Sequence, residues 1–207
     1  MVETRFQNLA DSRRIAHRFT PGRGPALVFL PGYMSDMAGS KAQAVFDWAV
    51  AQEQACLLLD YSGCGESDGD FSHGTLTRWR EEVLTLVEAC CPGSVVFIGS
   101  SMGGWLMLLC ALANPERVAG LIGIAPAPDF TDWGYAEADK ARLAAGKTIF
   151  EANPYGPEPT PTHPGFWADG QANRLLGAEI PLACPVRLVP GQQDSDAPWQ
   201  VSLRLAE

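Results

Sequence analysis

The sequence predicts an α/β fold in which a mostly parallel sheet carries helices on both faces. Four short apolar runs lie at residues 26–30, 55–59, 95–98 and 118–125. Runs without polar alternation are typical of strands buried on both faces of a parallel sheet. Three segments with helical spacing separate them, at residues 41–54, 74–91 and 105–113. Because strand and helix alternate, right-handed crossovers should place helices on both sides of the sheet.

The rest of the chain extends this pattern at both ends. Residues 4–9 and 14–20 alternate apolar and polar side chains, which predicts an antiparallel hairpin. Residues 126–181 lose the strand–helix rhythm and are rich in proline and aromatic side chains, so we interpret them as a cap that carries a helix or two. Residues 184–189 return to the sheet, and Pro198 opens a further helix at its first turn. Residues 1–207 are thus predicted to form one domain with a cap insertion.

Composition excludes several classes of function. A length of 207 residues suits one domain, and a formal charge of −9 disfavours nucleic acid as a partner. No apolar run reaches the roughly 20 residues that span a bilayer. The first residues have neither an apolar signal core nor an amphipathic presequence, which predicts a cytoplasmic protein. None of the six cysteines has C-x-x-C spacing, so we expect reduced core thiols, no metal and no cofactor.

The sequence around Ser101 predicts a nucleophile. Gly99, Ser101 and Gly103 form a G-x-S-x-G pentapeptide between an apolar strand and an apolar helix. That order of elements is what a nucleophile elbow requires, since a sharp, strained turn projects the serine above the sheet. Glycine is needed at both flanks because a side chain there would collide with the neighbouring strand and helix. The alternative interpretation is a Gly/Ser turn that only joins the strand to the helix and has no catalytic role.

Two backbone amides are candidates for an oxyanion hole. The residue after the nucleophile supplies one N–H, here that of Met102. The loop after the 26–30 strand supplies the other, and Gly32 lets that backbone turn so that the N–H of Tyr33 faces the site. Pro31-Gly32-Tyr33 could also be an ordinary strand-to-helix turn.

Asp194 is the candidate acid of a catalytic triad. It lies in the loop after the 184–189 strand, where a carboxylate could orient an imidazole in the order Ser, acid, His. Two rivals remain. Asp196 is close by and could instead cap the next helix, and Asp129 follows the 118–125 strand.

The sequence supplies no evident general base. His17 lies on the predicted hairpin, His73 lies just before a helix, and His163 lies in the predicted cap between two prolines. None follows Asp194, although His163 could reach Ser101 from above. The chain stops at Glu207 in the middle of an amphipathic pattern without a stop signal. We therefore expect a C-terminal helix, strand and catalytic histidine to be missing from this chain.

Several segments together resemble the α/β-hydrolase superfamily, and within it the branch of the mitochondrial palmitoyl-protein thioesterase and its bacterial relatives. They are residues 30–41, 60–63, 99–105, 123–130, 198–200 and 202–207. The resemblance implies Ser101 as nucleophile and Asp194 as acid, with the histidine in a loop beyond position 207. It also implies S-palmitoyl thioesters on proteins, and acyl glucuronides, as substrates.

Three hypotheses follow for the function. The first is a serine hydrolase that cleaves acyl thioesters or esters, small or protein-linked, through an acyl-enzyme on Ser101. The second is a non-catalytic ligand-binding or interaction protein on the same scaffold, because the base is absent. The third keeps the fold but changes the chemistry, for example to a lyase. The sequence does not fix an oligomeric state.

Overall fold

The computed structural model describes residues 2–153 and 156–207. Its centre is a seven-stranded sheet of order β1-β2-β4-β3-β5-β6-β9, and a separate two-stranded sheet pairs β7 with β8. The strands are β1 Arg5–Asn8, β2 Arg14–Thr20, β3 Arg23–Leu30, β4 Gln54–Leu59, β5 Val95–Ser100, β6 Val118–Ile124, β7 Ile149–Glu151, β8 Thr160–Thr162 and β9 Val186–Val189.

Seven α-helices accompany these strands in the described part of the chain. They are α1 Ser40–Ala51, α2 Leu76–Cys90, α3 Met102–Ala113, α4 Phe130–Trp133, α5 Glu137–Ala144, α6 Pro164–Ala172 and α7 Trp199–Leu205. None of them is long and apolar enough to cross a membrane.

The large sheet is parallel from β4 to β9. β3 pairs in parallel with β4 and β5, β5 with β6, and β6 with β9, whereas β1–β2 and β2–β4 are antiparallel. The carboxyl ends of the five parallel strands therefore meet at one edge, which is where ligands bind in open α/β sheets. The predicted sheet with its N-terminal hairpin is confirmed.

A hydrophobic core fills each side of the sheet. On one face α2 and α3 bury Trp79 and Trp105 completely against β3 and β5, and on the other α1 packs Phe46 against the opposite side of the same strands. Helix α3 is buried along nearly its whole length, which explains why its sequence is apolar on every side.

The predicted boundaries differ from the structure in a few places. Strand β3 begins at Arg23, three residues before the predicted run, and α3 begins at Met102 because the helix follows directly from the elbow. Helix α7 begins at Trp199, with Pro198 as its N-cap residue. The 126–181 segment was expected to hold one or two helices; it contains α4, α5, α6 and the β7–β8 hairpin. Its three-residue strands and four-residue helix are too short to show a periodic pattern in the sequence.

Candidate active site

The turn between β5 and α3 holds Ser101 in a rare backbone conformation. Its φ is 54° and its ψ is −121°, a region that residues with a side chain seldom occupy. The backbone around it is fixed on both sides, since Ser101 N donates to Ile124 O and Ala127 N donates to Ser101 O. The side chain is partly exposed, at the carboxyl end of a central strand. This is the geometry that presents a serine hydroxyl to a ligand.

Both flanking glycines stand where a side chain would collide with backbone. A Cβ on Gly99 would lie 2.3 Å from Gly103 O, and a Cβ on Gly103 would lie 2.0 Å from Leu30 O. The second contact involves the end of β3, so the missing side chain lets the elbow touch the loop that follows β3.

The 31–37 loop lies beside the serine. A Cβ built on Gly32 would be 3.4 Å from both the Ser101 Cβ and the Ser100 carbonyl oxygen. Within the described residues, neither Tyr33 N–H nor Met102 N–H donates to a protein acceptor. Both amides could therefore donate to the oxyanion of a tetrahedral intermediate formed on Ser101.

A buried carboxylate holds this loop in place. Asp60, 1% exposed at the end of β4, accepts hydrogen bonds from Met37 N at 2.7 Å and from Glu66 N at 2.8 Å. Burial raises the pKa of Asp60, and these two N–H groups oppose the rise. The sequence motifs around the elbow did not predict this role for Asp60. The signal that could have done so is a charged residue directly after a continuous apolar run.

An aromatic cluster packs around the ring of Tyr33. The ring centroid of Tyr33 lies 5.1 Å from Phe71, 6.4 Å from Trp79, 6.0 Å from Phe130 and 4.7 Å from Phe166. The Tyr33 hydroxyl donates to Pro161 O at 3.0 Å, and burial raises the pKa of this phenol. Since Phe130, Phe166 and Pro161 belong to the 126–181 segment, that segment packs on the site.

Asp194 lies where a triad acid is expected by topology. It follows β9, which is the second strand from β5 in the sheet. Two strand spacings are about 10 Å, enough to place an imidazole between a serine and a carboxylate. Its Oδ1 accepts hydrogen bonds from Asp196 N and Ala197 N, both at 2.9 Å, which fixes the loop.

The two rival carboxylates have different surroundings. Asp129 is 4% exposed and both its oxygens accept backbone N–H groups, those of Leu175 and Leu176. Asp196 is exposed in the loop before α7, where Pro198 rather than Asp196 is the N-cap residue. Asp129 thus joins two parts of the chain, and Asp196 does not cap α7.

No hydrogen bond in the described parts of the chain joins Ser101 to a histidine. His17 is buried in β2, and its Nδ1 lies 3.4 Å from Ile15 O. His73 is exposed on a single helical turn. His163 precedes α6 with its Nδ1 3.1 Å from Thr148 Oγ1, and its ring contacts Phe71. The general base therefore stays a prediction.

A cavity of about 180 Å³ opens beside the 31–37 loop. Its lining includes Met34, Ser35, Asp36, Cys64 and Phe71. Burial, with the nearby Asp60 carboxylate, raises the pKa of Cys64 to about 12, so the thiol stays protonated and is a poor nucleophile at neutral pH. Among the residues that the structure describes, no cluster of histidine, cysteine and carboxylate side chains could hold a metal ion.

Comparison with known proteins shows the family of this chain. A sequence model described as "Alpha/beta hydrolase family" matches residues 27–206. The chain belongs to the alpha/beta hydrolase family. It is 35% identical over 206 residues to the mitochondrial palmitoyl-protein thioesterase ABHD10 of Homo sapiens, a match that covers 98% of this chain and 67% of the human protein.

Two solved structures superpose closely on this alpha/beta hydrolase. A protein from Agrobacterium vitis S4 superposes with a TM-score of 0.90 at 35% identity, covering 100% of this chain and 85% of that one. Alpha/beta hydrolase domain-containing protein 10 from mouse superposes with a TM-score of 0.89 at 34% identity, covering 99% and 83% respectively.

Proposed function

We propose that this protein is a serine hydrolase that cleaves acyl thioesters or esters. The observation that carries the proposal is the strained Ser101 elbow, which packs against Gly32 of the loop that carries the Tyr33 amide. In this mechanism Ser101 Oγ attacks the acyl carbonyl, and the N–H groups of Tyr33 and Met102 stabilise the oxyanion. Collapse expels the thiol or alcohol, and water then hydrolyses the acyl-enzyme.

The proposed triad is completed by Asp194 and by a histidine that we expect after Glu207. An imidazole between Ser101 and Asp194 would take the serine proton and return it to the leaving group. His163 stays the alternative base, because its ring faces the same aromatic cluster through Phe71. We propose that the 126–181 segment acts as a cap over this site.

The substrate class is proposed from the relatives and the cavity. The human relative is named a palmitoyl-protein thioesterase, and the cavity lined by Met34 and Phe71 could take part of an acyl chain. Palmitoyl thioesters on proteins are therefore our first candidate, with acyl glucuronides second. The relative is named mitochondrial, whereas we predicted a cytoplasmic protein, so fractionation of the source cells should decide the location.

The test of the function uses the full-length natural protein and a fluorophosphonate probe. Wild type should be labelled at Ser101 and should hydrolyse a palmitoyl thioester, and Ser101→Ala should lose both, with kcat falling by more than about 10⁴-fold. Ser94→Ala is the matched control, because Ser94 is exposed before the opposite end of the same strand. A folded wild type without labelling or turnover would favour the non-catalytic binding protein instead.

A further inference from the structure

Tyr33 belongs to the site through its backbone and to the 126–181 segment through its side chain. Its N–H is the proposed oxyanion donor, and the preceding Gly32 packs against Ser101. Its hydroxyl donates to Pro161 O, 128 residues further along the chain. Tyr33 therefore links the proposed oxyanion hole to the 126–181 segment.

The ring of Tyr33 is held from two sides. From the core, Phe71 and the fully buried Trp79 contact it, and the Trp79 indole is fixed by donating to Ser62 O. From the 126–181 segment, Phe166 lies 4.7 Å away and is 1% exposed. A ring packed this closely cannot shift independently of its neighbours.

The acceptor of the hydroxyl is also fixed. Pro161 is the central residue of β8 and lies opposite Phe150 of β7 in the two-stranded sheet. The next residue, Thr162, is completely buried, and its hydroxyl bonds to Tyr135 at 2.8 Å. The Pro161 carbonyl therefore belongs to a paired strand of the segment, and its position is fixed by that strand.

We infer that the Tyr33 side chain is a positioning group that sets the oxyanion hole by docking the 126–181 segment. An oxyanion donor must lie about 2.7–3.1 Å from the developing charge, so a small displacement of the Tyr33 backbone weakens transition-state binding. The inference rests on the proposed function, because it assigns a role to the same oxyanion hole. The inference predicts that the docked position of the 126–181 segment affects kcat as well as the access of substrate to the site.

Tyr33→Phe tests this coupling with the smallest possible change. The variant keeps the packed ring and removes only the hydroxyl that donates to Pro161 O. Tyr135→Phe is the matched control, because it also removes a partly buried tyrosine hydroxyl that bonds to the β8 strand. Both residues of the Tyr135 bond lie within the segment, and Thr162 also interacts with the Tyr33 hydroxyl, so this control removes a neighbouring bond while the Tyr33 hydroxyl is kept.

In the full-length protein, Tyr33→Phe should lower kcat about tenfold with KM within about twofold, less than the 10²–10³-fold effect of deleting an oxyanion donor. Affinity for a boronic acid, which forms a tetrahedral adduct on the serine, should fall by a similar factor. Amide exchange should rise in the peptide that covers the 31–37 loop. Tyr135→Phe should leave kcat, boronate affinity and exchange of that loop close to wild type.

Each other result overturns the inference. Unchanged kcat or unchanged loop exchange in Tyr33→Phe would show that the hydroxyl does not position the amide. Equal losses in both variants would show a general effect of segment packing. If wild type neither turns over nor reacts with the probe, the proposed function fails, and the exchange comparison alone then decides whether Tyr33 couples the segment to the loop.

Discussion

Gly103 stands where the first turn of α3 touches the end of β3. A Cβ at this position would lie 2.0 Å from Leu30 O and 2.6 Å from Pro31 O, both of them backbone atoms. Leu30 is the last residue of β3, and Pro31 O accepts a hydrogen bond from the buried Tyr61 hydroxyl. The glycine is needed for close approach rather than for an unusual φ, because its φ is not in the left-handed region. Without that approach, the elbow and the 31–37 loop could not meet.

Gly103→Ala should therefore be strongly destabilising. We expect a loss of about 3 kcal/mol or more in the free energy of unfolding, because the collision can be relieved only by moving backbone. Gly165→Ala is the matched control: a Cβ added to this exposed glycine of α6 would have no atom within 4 Å, so alanine should be neutral or stabilising by up to about 1 kcal/mol. Urea unfolding measures both, and equal stabilities would contradict the prediction.

Residues whose role is local were predictable from the sequence, and those whose role is long-range were not. The elbow is encoded by five consecutive residues between a strand and a helix, so its strained conformation follows from the pattern around Ser101. The Tyr33 ring and the Asp129 carboxylate act on partners 128 and 46 or 47 residues away. The periodicity of neighbouring residues in the sequence does not indicate such long-range contacts.

At the scale of elements, the β1–β2 hairpin contains the buried histidine His17. It lies directly opposite Arg5 in the register and pairs on its other side with Leu59 of β4. Burial lowers the pKa of His17 below its ordinary value of 6.5, and the charge of Arg5 adds to this. The native hairpin therefore favours the neutral imidazole.

The sign of the resulting pH dependence follows from linkage. As pH falls through 6.5, the unfolded chain binds a proton at His17 before the native state does, so stability present above that pH is lost. His17→Gln cannot take up the proton and should show a flatter decline in unfolding free energy between about pH 7 and pH 5. Urea titrations across that range measure the two slopes; a steeper slope in the variant would contradict the assignment.

Element type was predictable where burial imposes a strong pattern. Strands β3 to β6 are continuous apolar runs, and helices α1 to α3 are longer segments between or after them. Their predicted positions agree with the structure to within a few residues. The β7–β8 hairpin and α6 depend on tertiary contacts instead. Asp169 of α6, for example, accepts from both the backbone N–H and the hydroxyl of Thr77.

At the scale of the whole molecule, hydrogen bonds join the two ends of the 126–181 segment to each other and to helix α3. Asp129, just after β6, accepts the backbone N–H groups of Leu175 and Leu176, which lie shortly before β9. The Trp105 indole of α3 donates to Asn173 O close by. These bonds close the segment into a loop over the carboxyl ends of the strands, where the Tyr33 ring meets it.

Asp129→Asn should separate this structural role from a catalytic one. The amide has one acceptor oxygen in place of two and turns an NH₂ group toward backbone donors, which should cost about 1–3 kcal/mol of stability. Asp132→Asn is the matched control, since this partly exposed residue of the same turn forms surface ion pairs with Lys140 and Arg174 and should cost less than about 1 kcal/mol. Thermal unfolding and limited proteolysis of the segment measure the difference. If Asp129→Asn instead kept full stability while abolishing turnover, Asp129 rather than Asp194 would be the acid of the triad.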